Sequence, residues 1–190
     1  MKKIVVTLGR EFGCNAREIG RELAARLNIK FYDHELVDRA ALRAGISNEV
    51  NPSNNEFDYG MDKCFYTEKA ISAQGYVIRE IANHESCVLL GRCSDYFLEE
   101  FPSVIHAFVY APLPYRINHI SKAYDIDRKA AEKLIEKIDA KRHSYYRYVT
   151  GRNRGDRHGR NIMVDVDKFG IEGSVDLIYH ATMILISKGN

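Results

Sequence analysis

The sequence has no excess of charge of one sign. In 190 residues, 28 Lys and Arg stand against 26 Asp and Glu, a formal +2. That balance excludes a surface built as a whole to bind nucleic acid or an anionic membrane, so any basic site has to be local. Long apolar runs are also missing. No stretch approaches the ~18 residues of a membrane span, and the apolar part of the opening MKKIVVTLGREFG is too short for the ~7–15 residues of a secretory signal. The four cysteines, at 14, 64, 87 and 93, form no CxxC pair and no zinc-like His/Cys spacing. Buried or free thiols in a reducing cytosol are the plain reading. There are no repeats and no low-complexity tracts. What is present, 45% hydrophobic and 28% charged residues, is enough for the core of one ordinary domain with a mobile sub-domain, placed in the cytoplasm.

Hydrophobic patterning predicts alternating strands and helices. Lys3–Leu8 is a β-branched run that reads as a buried parallel strand. A glycine-bearing loop follows, then an amphipathic helix over Arg17–Leu27 with Ile19, Leu23, Ala24 and Leu27 on one face. Ile29–Asp33 is extended, Glu35–Ala44 helical, 46–60 a loop, and Met61–Asn83 a long helix. Strands are predicted at Cys87–Leu90, Val104–Tyr110 and Ile162–Val166. A helical pair covers Tyr115–Tyr124 and Arg128–Tyr146, the second capped by Asp127, and a last helix covers Glu172–Ser187. This order predicts a mainly parallel, doubly wound α/β/α sheet, with ligands at the carboxyl ends of its strands.

Three stretches carry candidate chemistry. The first is GREFGCNAREIG, residues 9–20, between the first strand and its helix. Small residues there let backbone N–H groups reach phosphate oxygens at a helix N-terminus. It lacks the lysine of GxxxxGK[ST], and the same residues also suit a tight turn with no ligand. The second is GRCSDYFL, 91–98, where Arg92 leaves a buried strand toward the ligand crevice. Its partner there is a phosphate or an internal carboxylate. The third runs from Lys141 to Arg160, with seven Lys/Arg against one acid, Asp156. Arginines on a glycine-rich loop suit a lid over phosphates. A solvated basic loop, or a nucleic-acid patch using Tyr145, Tyr146 and Tyr148, is the alternative.

Taken in order, these stretches resemble the cytidylate kinase-like family, a branch of the nucleoside monophosphate kinases. The matching segments are TLGREFGCNAREIGRELAARL (7–27), KFYDHELVDRAA (30–41), VLLGRCSDYFL (88–98), FVYAPLPYRI (108–117), KIDAKRHSYYRYVTGRNRGD (137–156) and DKFGIEGSVDLI (167–178). The resemblance implies a P-loop NTPase-like α/β/α fold with a helical and loop lid. It implies one domain over 1–190, with a monophosphate-binding part at 34–86 and the lid at 139–160. ATP with magnesium (Mg2+) and a pyrimidine monophosphate, CMP or dCMP, are the implied ligands; small-molecule nucleotides, and neither membrane nor nucleic acid, are the implied partners. Arg39 and Arg92 would hold the acceptor phosphate, with Asp33 in the same pocket, and Asp139 and Arg142 would contact the acceptor from the lid. Arg10, Gly13, Cys14, Asn15, Ala16, Arg17 and Glu18 would line the ATP phosphates. Arg17, Arg92 and Arg142 would act on the transferring group.

The departures are specific. Ala16 stands at the usual lysine position and Arg17 follows it where a Ser/Thr would bind magnesium. Arg10 or Arg17 would therefore have to do part of the lysine's work. Magnesium would rest on phosphates and water, with Asp33 or Glu18 as the nearest carboxylates and no metal site of the protein's own. Gly9 replaces a serine of the family loop, and Cys14, Asn15 and Ala16 replace its small Ser-Gly-Gly. At 15 and 16 a positive φ would be disfavoured, more for Ala16 than for Asn15. Cys93 replaces the aspartate of Gly-Arg-Asp, and Arg154 stands where the branch often has tryptophan. A protein that binds nucleotides with little or no turnover is the alternative these losses imply.

Overall fold

A computed structural model describes residues 3–33, 42–43, 45 and 67–188. Arg39, the loop at 46–60, and most of the helix expected over 35–44 lie outside the described residues. So does the start of the helix expected from 61.

Five strands are described: β1 Val5–Arg10, β2 Lys30–Tyr32, β3 Cys87–Leu90, β4 Val104–Tyr110 and β5 Ile162–Asp165. They form one sheet in the order β2-β3-β1-β4-β5, and every pairing is parallel. β1 lies at the centre, with Leu8 opposite Leu90 on one side and Ala107 on the other. The described helices are α1 Ala16–Leu27, α2 Glu68–His84, α3 Ser94–Phe97, α4 Leu113–Tyr124, α5 Arg128–Thr150 and α6 Val166–Lys188.

Both sheet faces are buried, which is why the strands read as continuous apolar runs. Alternate side chains serve opposite layers. Val6, Leu8, Val88, Leu90 and Val109 pack under α1 and α6, with Ile19, Leu23, Val175 and Ile178. Val5, Cys87, Leu89 and Val104 face α2, with Val77, Ile78 and Ile81. Each fully buried side chain of this size contributes about 1.5–3 kcal/mol. A third apolar cluster joins the α4–α5 pair through Ile117, Ile120, Ile135 and Ile138, and Phe12 of the loop after β1 is inserted into it.

The element boundaries differ from the expected ones in places with local causes. Asp127 caps α5 as expected, its carboxylate accepting from Ala130 N–H at 2.9 Å. The helix then runs through residues 147–150 and stops at Gly151, whose φ is 70°. The basic loop is therefore shorter than predicted and starts at 151. The last helix begins at Val166, earlier than predicted, with a break at Gly170. α6 is long and apolar enough to cross a bilayer by length and composition, but its Val175, Ile178 and Thr182 are buried in the domain.

Candidate active site

The carboxyl end of β1 leads into a loop that the main chain shapes. Gly13 has φ 87°, and a Cβ there would lie 3.2 Å from Arg116 Cβ. Asn15 has φ 54°, in the left-handed region, and its next residue opens α1. Asparagine is among the residues that tolerate this conformation. Ala16 is helical, so the strain expected at 16 does not arise. Cys14 is 1% exposed. Its Sγ lies 3.0 Å from the Glu11 carbonyl and 3.4 Å from that of Val109, to which the thiol donates. Burial pushes this thiol up to about 12, so it stays a donor. Arg10, Gly13, Cys14, Asn15, Ala16, Arg17 and Glu18 all line one open cleft beside α4, as expected for a phosphate loop.

A second cavity lies at the carboxyl ends of β1 and β3, under α5 and the loop after it. Six arginines line it: Arg10, Arg17, Arg92, Arg142, Arg154 and Arg160. Against them stand Asp33 and Asp95. Asp33 pairs with Arg17 at 2.6 Å. Arg92 sits in a turn where Gly91, Arg92 and Cys93 have φ of 72°, 60° and 55°. Gly91 is required there twice over, by its φ and because any side chain would meet the Arg10 guanidinium. Cys93, at the expected aspartate position, is 4% exposed, and burial raises its thiol further than that of Cys14. The carboxylate that reaches this cavity is Asp95, two residues on.

Asp95 serves a buried network. Its Oδ2 accepts from the Tyr146 hydroxyl at 2.7 Å and pairs with Arg160 Nη1. The Arg160 side chain is 4% exposed, its Nη2 donates to the Arg154 carbonyl at 3.3 Å, and its Nε–H has no partner among the described residues. Burial and then Asp95 raise the Tyr146 hydroxyl above its ordinary range, which keeps it a donor.

Asp139 does not line this cavity. It accepts from Phe12 N–H at 3.0 Å, from Arg116 Nη1 at 2.6 Å and from Arg154 Nη1 at 3.2 Å. Arg154 Nη2 also donates to the Arg10 carbonyl. One carboxylate thus fastens the loop after β1, α4, and the basic loop together. Of the other basic residues, Arg152 of that loop binds Glu99 at 2.8 and 3.0 Å on the outside, and Arg147 on α5 and Arg157 in the loop are exposed.

Arg17, Arg92, Arg142 and Asp33 are thus brought together, and Arg39 lies outside the described residues. Asp95 and Arg116 were not singled out from sequence; Arg160 entered only as one of seven basic residues, and Tyr146 only through the nucleic-acid alternative. Asp95 and Arg116 sit inside the matching stretches GRCSDYFL and FVYAPLPYRI, but nothing in a linear pattern says which charges meet.

Comparison with known proteins bears on family and fold. The model of the Cytidylate kinase-like family matches residues 5–168. A cytidylate kinase of Methanosarcina barkeri is 25% identical over 132 residues, 68% of this chain and 72% of that one. An uncharacterized protein of Eubacterium ventriosum has a similar crystal structure: TM-score 0.77 at 25% identity, over 95% of this chain and 98% of that one. Shikimate kinase of Bacteroides thetaiotaomicron shares the fold, with TM-score 0.56 at 13% identity over 93% and 96% of the two chains. The chain therefore has the three-layer α/β/α fold of the P-loop kinases and a nucleotide kinase-like function, and it belongs to the cytidylate kinase-like family.

Proposed function

We propose that this protein transfers the γ-phosphoryl group of ATP to CMP or dCMP in the cytoplasm. The observation that carries this reading is the position of Arg10, Arg17 and Arg142. These three line both the phosphate-loop cleft and the arginine cavity. A phosphoryl group passing from a nucleotide in the first to an acceptor in the second meets them at the junction.

Phosphoryl transfer needs positioning and charge neutralisation rather than a covalent intermediate. Arg92 is the acceptor-phosphate clamp, and the family resemblance gives Arg39, in the proposed monophosphate-binding part 34–86, the same role. Arg17, oriented by Asp33, and Arg142 neutralise charge on the equatorial oxygens. Arg10 adds a third guanidinium and takes on part of the missing lysine's work. Their planar forks match phosphate oxygens two at a time. Residues 139–160 form the lid that excludes water.

Magnesium, brought with ATP, would supply positive charge that offsets the phosphates. Among the described residues no three His, Cys, Asp or Glu side chains converge on a metal site. Asp33 and Glu18, two of the carboxylates that line the clefts, would at most add to an ion held by phosphates and water.

The test is ADP release with ATP, magnesium and each of CMP, dCMP, UMP and AMP. The expected result is turnover with CMP or dCMP above about 1 s⁻¹, the usual kinase range, and its loss in Arg92→Ala. A second reading, nucleotide binding without turnover, is favoured by the absent lysine and by the Arg17–Asp33 pair. It is the result if nucleotides bind and no acceptor drives ADP release.

A further inference from the structure

Gln74 lies in the middle of α2, is 1% exposed, and belongs to neither cleft wall. A polar side chain buried in a helix face among Val77, Ile78 and Ile81 carries a desolvation cost that its hydrogen bonds must offset. Both ends of its amide are used. Nε2 donates to the Arg92 carbonyl at 2.9 Å, and Oε1 accepts from the Tyr145 hydroxyl at 3.1 Å. A carbonyl can only accept, so the Arg92 contact fixes which end of the amide is the donor.

The backbone it grips is an unusual one. Arg92 and Cys93 are both left-handed although neither is glycine or asparagine, a conformation that persists only where surrounding contacts hold it. That turn aims Arg92 into the cavity. The other partner, Tyr145, lies on α5, three residues after Arg142 and beside Tyr146. Gln74 itself cannot retreat. At the next position a Cβ would come within 2.7 Å of the Phe97 ring, so Gly75 seats α2 hard against α3.

We propose that Gln74 is a positioning residue that holds Arg92 in its left-handed turn and ties that turn to the lid helix through Tyr145. Acceptor-phosphate binding and lid position are then coupled through one buried amide. This rests on the reading of Arg92 as an anion clamp.

The test measures calorimetric binding of inorganic pyrophosphate and, separately, of CMP. Wild type is compared with Gln74→Glu, Gln74→Leu, Tyr145→Phe, Arg92→Ala and the Gln74→Glu/Arg92→Ala double variant, each checked by thermal melting. Gln74→Glu keeps the size and an acceptor for Tyr145 but loses the donor to Arg92, so it stands if Gln74→Leu fails to fold. The expected result is a roughly tenfold weaker Kd in Gln74→Glu, a smaller loss in Tyr145→Phe, and no further loss on adding Gln74→Glu to Arg92→Ala. In turnover, the acceptor KM rises while the ATP KM stays. Unchanged binding in a folded Gln74→Glu overturns the proposal. So does an equal loss with and without Arg92, which marks a packing role alone. Pyrophosphate binding without CMP binding overturns the choice of acceptor but leaves the cycle readable on pyrophosphate. Binding of neither, or binding insensitive to Arg92→Ala, overturns both.

Discussion

The two clefts are built on opposite principles. The phosphate-loop cleft is shaped by the main chain. Its turn depends on φ at Gly13 and Asn15 and on a thiol that donates to two carbonyls. The arginine cavity is shaped by side chains whose charges hold one another: Arg17 on Asp33, Arg160 on Asp95. A loop made of backbone can exchange its letters as long as the new residue accepts the old dihedral. Where such a pair is buried, as Arg160 is on Asp95, one partner cannot be lost without stranding the other.

That contrast predicts unequal effects. The largest belongs to Asp95→Ala, which leaves the Arg160 guanidinium buried without its carboxylate. It should cost about 3–5 kcal/mol, read as a lower urea midpoint at unchanged slope. An effect under 1 kcal/mol would mean that the cavity rearranges as freely as a surface. In the loop, Asn15→Val forces a β-branched residue to φ 54° and should cost about 1–2 kcal/mol. Asn15→Gly should shift the melting point little, because only the dihedral matters there. Equal costs for the two would break the comparison.

A third effect is a pH dependence. His106 is 8% exposed and its Nδ1 lies 2.9 Å from Thr7 Oγ1. Burial, the leading cause, lowers its pKa below the ordinary value. Below about pH 6.5 the unfolded chain then binds a proton that the folded chain does not. Stability should therefore fall as pH drops from 6.5 toward the folded pKa, by at most about 1.4 kcal/mol per unit. It should hold above 6.5, where His106 is neutral in both states. Denaturant curves from pH 8 to 5 check this, and His106→Asn should flatten the acid limb. The smallest effect is at the outer rim. Arg152→Ala removes an exposed pair with Glu99 and should change stability by less than about 1 kcal/mol.

The same contrast explains what could be read from sequence. The β1-loop-α1 unit was legible because its signals are local: an apolar run, spaced glycines, and Ile19, Leu23 and Ala24 at helical spacing. β4 and the Asp127 cap were legible for the same reason. Arg17 and Arg92, which line the arginine cavity, were named beside such landmarks, and Arg142 through the family resemblance. The Asp95–Tyr146–Arg160 network joins residues 51 and 65 positions apart, and no pattern along the chain pairs them. Asp139 was legible as a lid residue, but its junction with Phe12, Arg116 and Arg154 is a fact of packing.

One detail of the loop bears on the chemistry of stress rather than of transfer. A cysteine in the loop proposed to hold a nucleotide invites the idea of an oxidation sensor. Peroxides and alkylating reagents attack the thiolate. With a pKa of about 12, on the order of one Cys14 in 10⁵ is thiolate at neutral pH. The side chain that replaced a small residue in this loop is thus kept out of sulfur chemistry by the two carbonyls and the burial that fold the loop.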